Sequence, residues 1–360
     1  MLQAELKRRQ LPPLTSREEI VDILQREVYG YLPSAAYTLS VDQPTKVEAR
    51  FACGNVAHTY VNLTIRLRSG EHAFRVDRLL HTDGKKRPLI VLNNFHPMGS
   101  SPYFPIEELS ESDMDFLSVC YQDITSDNDD FSTGLAPLLL PNGQETDVTC
   151  GKIGIWAWAS MRVLDYGLTL PGTDPKNIGI VGHSRLGKTA LFTAMLDTRF
   201  RFVFSNAAGC AGDSLAHGNS GLTRTQRTPH LGELICDITK NFPYWFCKKY
   251  QTYAERNVSD TFDQHFLLAA IAPRYVMVGA CDLDAWADPV SQQLCALAAS
   301  RAWEELGLSG LVGSDHYLQT GEALDKGHVG YFLIHSLHFL SRHSWRRFLE
   351  FVDKHKNDPF

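Results

Sequence analysis

Several features that would place this 360-residue chain in a special class of protein are missing from its sequence. It contains no run of about eighteen consecutive apolar residues, so the sequence predicts no membrane-spanning helix and no membrane partner. No basic stripe stands out and the formal net charge is -6, which argues against a nucleic-acid partner. The N-terminus is charged and lacks an apolar signal-peptide core, which predicts a cytoplasmic protein, or a secreted one if a leader has been removed.

Metal-binding patterns are also scarce. The eight cysteines are scattered without a C-x-x-C pair, and several lie in apolar runs, as buried free thiols do. We therefore predict neither a metal nor another cofactor. The acidic segment from residue 125 to 147, with Asp127, Asp129 and Asp130, is interpreted as a solvated surface loop rather than as a metal site.

Apolar runs and helical patterns alternate along the chain from Pro88 onward. Continuous apolar runs are typical of strands buried on both faces. They occur at residues 89–92, 116–121, 178–181, 202–204 and 275–278, with a last strand at 329–334. Helical patterns lie between several of these runs, which indicates an α/β fold whose mostly parallel central sheet carries helices on both faces.

The N-terminal part of the chain has a different pattern. Residues 15–29 predict a capped amphipathic helix, and residues 46–80 alternate apolar and polar side chains as an antiparallel β meander does. Because no low-complexity linker follows, these strands are expected to extend the main sheet. We predict a single domain over 1–360, with the N-terminal helix and meander in 1–85 and the catalytic core in 86–355.

The segment Asn177–Ala190, NIGIVGHSRLGKTA, has the pattern of a nucleophile elbow, in which a serine stands on a sharp turn between a strand and a helix. Ser184 would be the nucleophile, and the helix that follows would direct its first N–H groups toward developing negative charge. The second glycine of the motif comes one position late, at Gly187.

A nucleophilic serine needs a base, and the base needs an acid that orients it. In α/β hydrolases the acid and then the histidine follow the serine along the chain. Three aspartates follow the strand at 275–278, and three histidines follow the last strand. The candidates are Asp282, Asp284, Asp288, His335, His338 and His343. The residues alone leave the choice open, since aspartates also form turns and cap helices.

Across nearly the whole chain, the sequence resembles bacterial members of carbohydrate esterase family 15, the glucuronoyl esterases. The matching stretches, in order, are VYG, KIGIWAWASMRVLDY, GHSRLGKTAL, SNAAGCAG, FPYWFC, DQHFLLAAIAPR, DLDAWADP and a terminal H-x-W-x-x-F-L-x-F block. The resemblance implies an α/β-hydrolase three-layer sandwich with an antiparallel N-terminal β extension. It also implies hydrolysis of esters on uronic acid carboxyls in plant cell-wall carbohydrate.

The resemblance also implies roles for individual residues. Ser184 matches the nucleophile, and His338 matches the catalytic histidine because it lies seven residues before Trp345. Arg185 matches the arginine of the oxyanion hole, although an arginine there could instead merely pair with a surface carboxylate. Lys188 matches a lysine that binds the uronate sugar, and Trp286 matches the tryptophan that packs on the substrate ring.

The chain departs from the family pattern at three places. Ala207 stands where many members have the triad glutamate, so the resemblance implies Asp284 as the acid instead. Tyr244 replaces a histidine before WFC. Leu222 is taken as the position of the sugar-binding glutamate in a GET-like triplet, which predicts weaker selection between glucuronate and galacturonate esters.

Three hypotheses follow. The first is a serine carboxylic-ester hydrolase acting on small or oligosaccharide uronate esters, with Ser184, His338 and Asp284 as its triad. The second is a related esterase that removes methyl esters from pectic uronates or acetyl groups from sugars. The third is a non-catalytic glycan-binding relative.

Overall fold

The central feature of the chain is a mixed β-sheet. The computed structural model describes residues 2–47, 54–219, 232–313 and 315–359, and these residues form a sheet of eleven strands. The strands are β1 (Tyr37–Val41), β2 (Thr45–Lys46), β3 (Val56–Leu67), β4 (Gly70–His81), β5 (Arg87–Asn94), β6 (Asp115–Cys120), β7 (Thr173–His183), β8 (Phe202–Asn206), β9 (Tyr275–Cys281), β10 (Ala323–Leu324) and β11 (Val329–Ile334).

Helices connect most of these strands. They are α1 (Leu2–Arg9), α2 (Arg17–Leu24), α3 (Ile106–Ser110), α4 (Tyr121–Ile124), α5 (Ala136–Leu139), α6 (Lys152–Gly167), α7 (Arg185–Leu196), α8 (Ile235–Asn241), α9 (His265–Ala269), α10 (Pro289–Ala299), α11 (Arg301–Glu304) and α12 (Arg342–His355). None of the helices in the described ranges is long and apolar enough to cross a membrane.

The strand order is β1-β3-β4-β6-β5-β7-β8-β9-β11-β10, and β2 pairs with β3. Six neighbouring strands, β6, β5, β7, β8, β9 and β11, pair in parallel. Each of them was predicted from an apolar run. The β3–β4 hairpin joins them because β4 pairs antiparallel with β6. The predicted meander therefore extends the main sheet, as expected.

Each face of the sheet carries its own hydrophobic core. On β5, Leu89 and Val91 lie in the core that contains α6, α7 and α10. Ile90 and Leu92, which alternate with them, lie in the second core, beneath the aromatic side chains of α12. Because both faces are covered, β5 is buried along its whole length, which explains its continuous apolar run. The arrangement is the three-layer sandwich predicted from the sequence.

The predicted N-terminal helix is confirmed, with a difference at its end. Ser16 caps α2 by accepting a hydrogen bond from the backbone N–H of Glu19, but α2 ends at Leu24 and a π-helical turn continues to Tyr29. Gly30 then has a φ of 84°, and a Cβ there would lie 2.4 Å from the Cα of Cys150. Only glycine fits this close approach, which explains the VYG motif.

Candidate active site

Ser184 lies at the turn between β7 and α7, with φ 57° and ψ -127°. The glycines around it permit this geometry. A Cβ on Gly182 would lie 1.9 Å from the carbonyl oxygen of Leu186, and a Cβ on Gly187 would lie 3.0 Å from Ser205 Oγ. The late second glycine is therefore explained, because α7 packs at that point against the end of β8. The strained serine on a sharp strand-to-helix turn is the geometry of a nucleophile elbow.

His338 and Asp284 form a hydrogen-bonded pair, as predicted from the sequence. His338 Nδ1 lies 2.6 Å from Asp284 Oδ2, and the carboxylate is only 3% exposed. Asp284 follows β9 and His338 follows β11, and these strands are parallel neighbours. Their carboxyl ends therefore bring the two side chains to one edge of the sheet. With Nδ1 held by the carboxylate, Nε2 is the ring nitrogen that remains for proton transfer, and His338 lines the same cavity as Ser184.

The competing aspartates have other partners. Asp282 pairs with His335 at 2.9 Å and accepts a hydrogen bond from the hydroxyl of Thr320. Asp288 caps α10 by accepting a hydrogen bond from the N–H of Ser291. His343 lies exposed in the first turn of α12.

Buried contacts hold the loop that carries His338. Asn206 Nδ2 donates to the carbonyl oxygen of Phe339 at 3.1 Å, and the ring of His183 lies 4.5 Å from the ring of His338. Burial lowers the pKa of His183 to about 3, so this second imidazole is neutral beside His338 at neutral pH. Ala207 offers no acid here, and nearby Asp213 instead accepts hydrogen bonds from Ser205 and Gly209.

A cavity of about 230 Å³ opens above the serine. Its walls come from α7, from the segments after β7, β8, β9 and β11, and from the residues on either side of α8. They include Ser184, Arg185, Lys188, Ala207, Ala208, Gly209, Glu233, Phe242, Trp245, Trp286, Ala287 and His338. Five of the six residues that the sequence analysis selected thus line the cavity, and the sixth, Asp284, lies within hydrogen-bond distance of one of them, His338.

The cavity contains a basic and an acidic side chain, Lys188 and Glu233. Lys188 is buried on α7 and its Nζ donates to the carbonyl oxygen of Ala208, while burial lowers its pKa. Burial raises the pKa of Glu233, whose attraction to Lys188 acts against that shift. Trp286 is 44% exposed at the rim, and its carbonyl oxygen accepts a hydrogen bond from the N–H of Glu233.

Sequence reasoning missed Glu233. Leu222, which was taken as the position of the sugar-binding glutamate, lies outside the described residues. The inference that the cavity lacks a carboxylate is nevertheless wrong, because Glu233 lines it. The signal was present in the sequence, since Gly232-Glu233-Leu234 differs from a GET triplet only in its last residue.

Arg185 pairs with a carboxylate, but that carboxylate is buried rather than on the surface. Its Nη1 donates to Asp127 Oδ2, and the Asp127 side chain is only 6% exposed. The interpretation of residues 125–147 as a solvated loop is therefore wrong at Asp127, although Asp129 and Asp130 are exposed. Tyr244 also reaches this loop, since its hydroxyl donates to the carbonyl oxygen of Asp127 at 3.1 Å.

The arrangement has the parts needed for acyl transfer through a serine. A hydroxyl stands at the start of α7, an imidazole is oriented by a buried carboxylate, and N–H donors of the helix and of Arg185 lie at the same cavity. Within the described ranges, no group of three or more histidine, cysteine, aspartate or glutamate side chains could hold a metal ion.

Comparison with known proteins points in one direction. A sequence model of the fungal glucuronyl esterase family matches residues 142–307. A carbohydrate esterase from an unknown prokaryotic organism is 34% identical over 205 residues, or 57% of this chain. The 4-O-methyl-glucuronoyl methylesterase of Hypocrea jecorina is 32% identical over 175 residues, or 48% of this chain. The matched regions cover 44% and 36% of those two proteins, so the chain spans less than half the length of each.

Solved structures match over much more of the chain. The glucuronoyl esterase of Solibacter usitatus superposes with a TM-score of 0.80 at 25% identity, covering 94% of this chain and 91% of that one. A promiscuous esterase of the same family from a marine bacterial metagenome gives a TM-score of 0.81 at 24% identity, again over 94% of this chain and 91% of that one. Sequence motifs, curated relatives and solved structures agree, and all of them show the chain to be similar to carbohydrate esterase family 15, the glucuronoyl esterases.

Proposed function

We propose that the protein is a serine carboxylic-ester hydrolase that cleaves uronate esters of plant cell-wall carbohydrate. The observation that carries this proposal is the hydrogen bond between His338 and Asp284 at a cavity that also contains Ser184. Similarity to known proteins supports the same activity, since relatives of the chain are named 4-O-methyl-glucuronoyl methylesterases.

The geometry suggests a two-step reaction. His338 Nε2 takes the proton of Ser184 Oγ, which attacks the uronate carboxyl carbon and places negative charge on its oxygen. The backbone N–H of Arg185 and its guanidinium stabilise that oxyanion. Collapse of the intermediate expels the alcohol, which receives the proton from His338. A water molecule, deprotonated by the same imidazole, then releases the free uronic acid and restores the serine.

Three side chains of the cavity suit a sugar ring. Trp286 offers an apolar face at the rim, while Lys188 and Glu233 present a cation and a carboxylate deeper in the cavity. Charged groups make stronger hydrogen bonds to hydroxyls than neutral ones do. We therefore assign these three residues to binding of the uronate ring, and the other residues named above to the chemistry.

A comparison of three substrates tests the proposal. We expect the protein to hydrolyse benzyl glucuronate faster than methyl galacturonate, and to release little acetate from acetylated xylan. The Ser184→Ala variant, folded as judged by its melting temperature, should lose several orders of magnitude in kcat. A protein that prefers acetylated xylan would instead be a sugar acetylesterase, and a protein inactive on all three esters would contradict the proposal.

A further inference from the structure

The carboxylate of Asp127 accepts hydrogen bonds from three side chains, two of which are far away in the sequence. Arg185 Nη1 and the hydroxyl of Tyr121 donate to Oδ2, the latter at 2.9 Å, and Trp245 Nε1 donates to Oδ1 at 2.7 Å. The carboxylate is 6% exposed, so little water competes for these hydrogen bonds. The surroundings of Asp127 are thus those of a fixed, buried hydrogen-bond acceptor.

The same contacts fix the guanidinium of Arg185. Its Cζ lies 4.5 Å from the ring centroid of Trp245 and 5.4 Å from that of Phe242. Nη1 of the guanidinium donates to Asp127, whereas Nε is buried and has no hydrogen-bond partner among the described residues. An unpaired buried donor is costly unless it serves another group. Because Arg185 lines the cavity beside Ser184, the oxyanion of the reaction is a suitable acceptor.

Lys152 holds the loop that carries Asp127 in place. This lysine is fully buried at the start of α6, and its Nζ donates to the carbonyl oxygen of Asp130 at 2.7 Å and to the hydroxyl of Thr125 at 2.9 Å. The two contacts hold the loop on both sides of Asp127. The carboxylate therefore has a defined position relative to α7, although it comes from an irregular segment.

We propose that Asp127 is a positioning residue of the esterase reaction, which holds the Arg185 guanidinium in the orientation that stabilises the oxyanion. The inference rests on the proposed function, because it requires an oxyanion beside Ser184. Asp127 contacts Arg185 and the cavity wall but none of the groups assigned to bond making or breaking. It acts on the rate through the arginine, and the effect should fall on kcat rather than on KM.

Substitution of the carboxylate by an amide tests the proposal with little change in shape. Asp127→Asn should lower kcat for p-nitrophenyl acetate and benzyl glucuronate by about tenfold or more, below the roughly 10²–10³-fold expected for Arg185→Ala, while KM stays within about twofold. The matched control is Asp129→Asn, an exposed aspartate two residues away in the same loop, which should change neither constant.

A double-mutant cycle separates positioning from a general structural role. If Asp127 acts through Arg185, Asp127→Asn should cost less than about twofold in kcat when Arg185 is already alanine. An equal loss in both backgrounds, or an unchanged kcat for Asp127→Asn alone, would overturn the proposal. Should Asp127→Asn melt far below the wild type, Tyr121→Phe removes one donor to the carboxylate with almost no change in volume. Its smaller loss in kcat should disappear in the same background, and a loss that persists there would also overturn the proposal.

The outcomes distinguish this inference from the proposed function. A wild type that hydrolyses p-nitrophenyl acetate but not uronate esters would contradict the assigned substrate, and the cycle could still be measured with the acetate. A wild type that hydrolyses neither ester would contradict both, because no oxyanion would then form beside Ser184.

Discussion

Replacement of Asp284 by asparagine tests the part of the site on which the chemistry depends most. Asparagine has almost the shape of aspartate, so the packing around this buried residue should be kept. What changes is the partner of His338 Nδ1, which is 2.6 Å from the carboxylate. An amide carries no charge to stabilise the imidazolium. Its NH₂ group can also donate to Nδ1. The imidazole proton would then lie on Nε2, and that nitrogen could no longer accept the proton of the serine.

The size of the effect follows from the distance and the burial. Two unit charges about 4 Å apart, at the effective dielectric constant of roughly 20 that suits protein sites, attract by about 4 kcal/mol, which corresponds to about 10³ in rate. The unfavourable tautomer raises the expected loss toward about 10⁴ in kcat. Since Asp284 contacts the histidine and is not among the residues that line the cavity, we expect KM to stay within about threefold.

The assay is steady-state hydrolysis of benzyl glucuronate and p-nitrophenyl acetate, with melting temperatures measured beside it. Asp282→Asn is the matched control, because Asp282 forms the same kind of pair with His335 two residues away from Asp284, outside the cavity. It should keep nearly all activity. The reasoning would be refuted if Asp284→Asn stayed within about tenfold of the wild type, or if Asp282→Asn proved the more damaging substitution.

Three further predictions concern the elbow, the sugar and the response to acid. Gly182→Ala should abolish esterase activity and lower the melting temperature, because its Cβ would lie 1.9 Å from a backbone oxygen that cannot move away alone; a normal melting curve with full activity would contradict this. Glu233→Gln should raise KM for benzyl glucuronate by about tenfold or more, the loss of one charged hydrogen bond, with kcat nearly unchanged; an unchanged KM would remove Glu233 from sugar binding. Burial lowers the pKa of His265 to about 4, from about 6.5 in the unfolded chain. Between these two pH values, His265 is therefore protonated in the unfolded chain and neutral in the folded one. The free energy of unfolding should fall as pH drops from 6.5, by about 2 kcal/mol at pH 5 from this residue, and urea denaturation of His265→Gln at pH 7 and 5 should show a smaller pH dependence than the wild type.

Much of the site could be predicted because its determinants are local in sequence. The elbow can be predicted from Gly182, Ser184 and Gly187, because a tight turn between a strand and a helix requires their spacing. Asp284 and His338 could be placed among the candidates because each follows an apolar strand, and the family resemblance then singled them out from their neighbours. Such strands pair in parallel at the centre of the sheet, so the residues after them meet at one edge. The fold class therefore predicts the edge of the sheet at which polar residues after buried strands lie, but not which of them pair.

The partners of charged residues were decided by the tertiary structure. Nothing local distinguishes Asp127 from Asp129, yet one is buried against Arg185 and the other is exposed, because only the packing of a loop against α7 and Trp245 separates them.

The same holds for Glu233, which lines the cavity from a position just before α8. Periodicity and turn chemistry act over a few residues, and the sequence by itself determines what depends on them: the strands, the elbow and the edge of the sheet where the site lies. Burial of a carboxylate depends on contacts between residues far apart in the chain, which only the folded arrangement supplies.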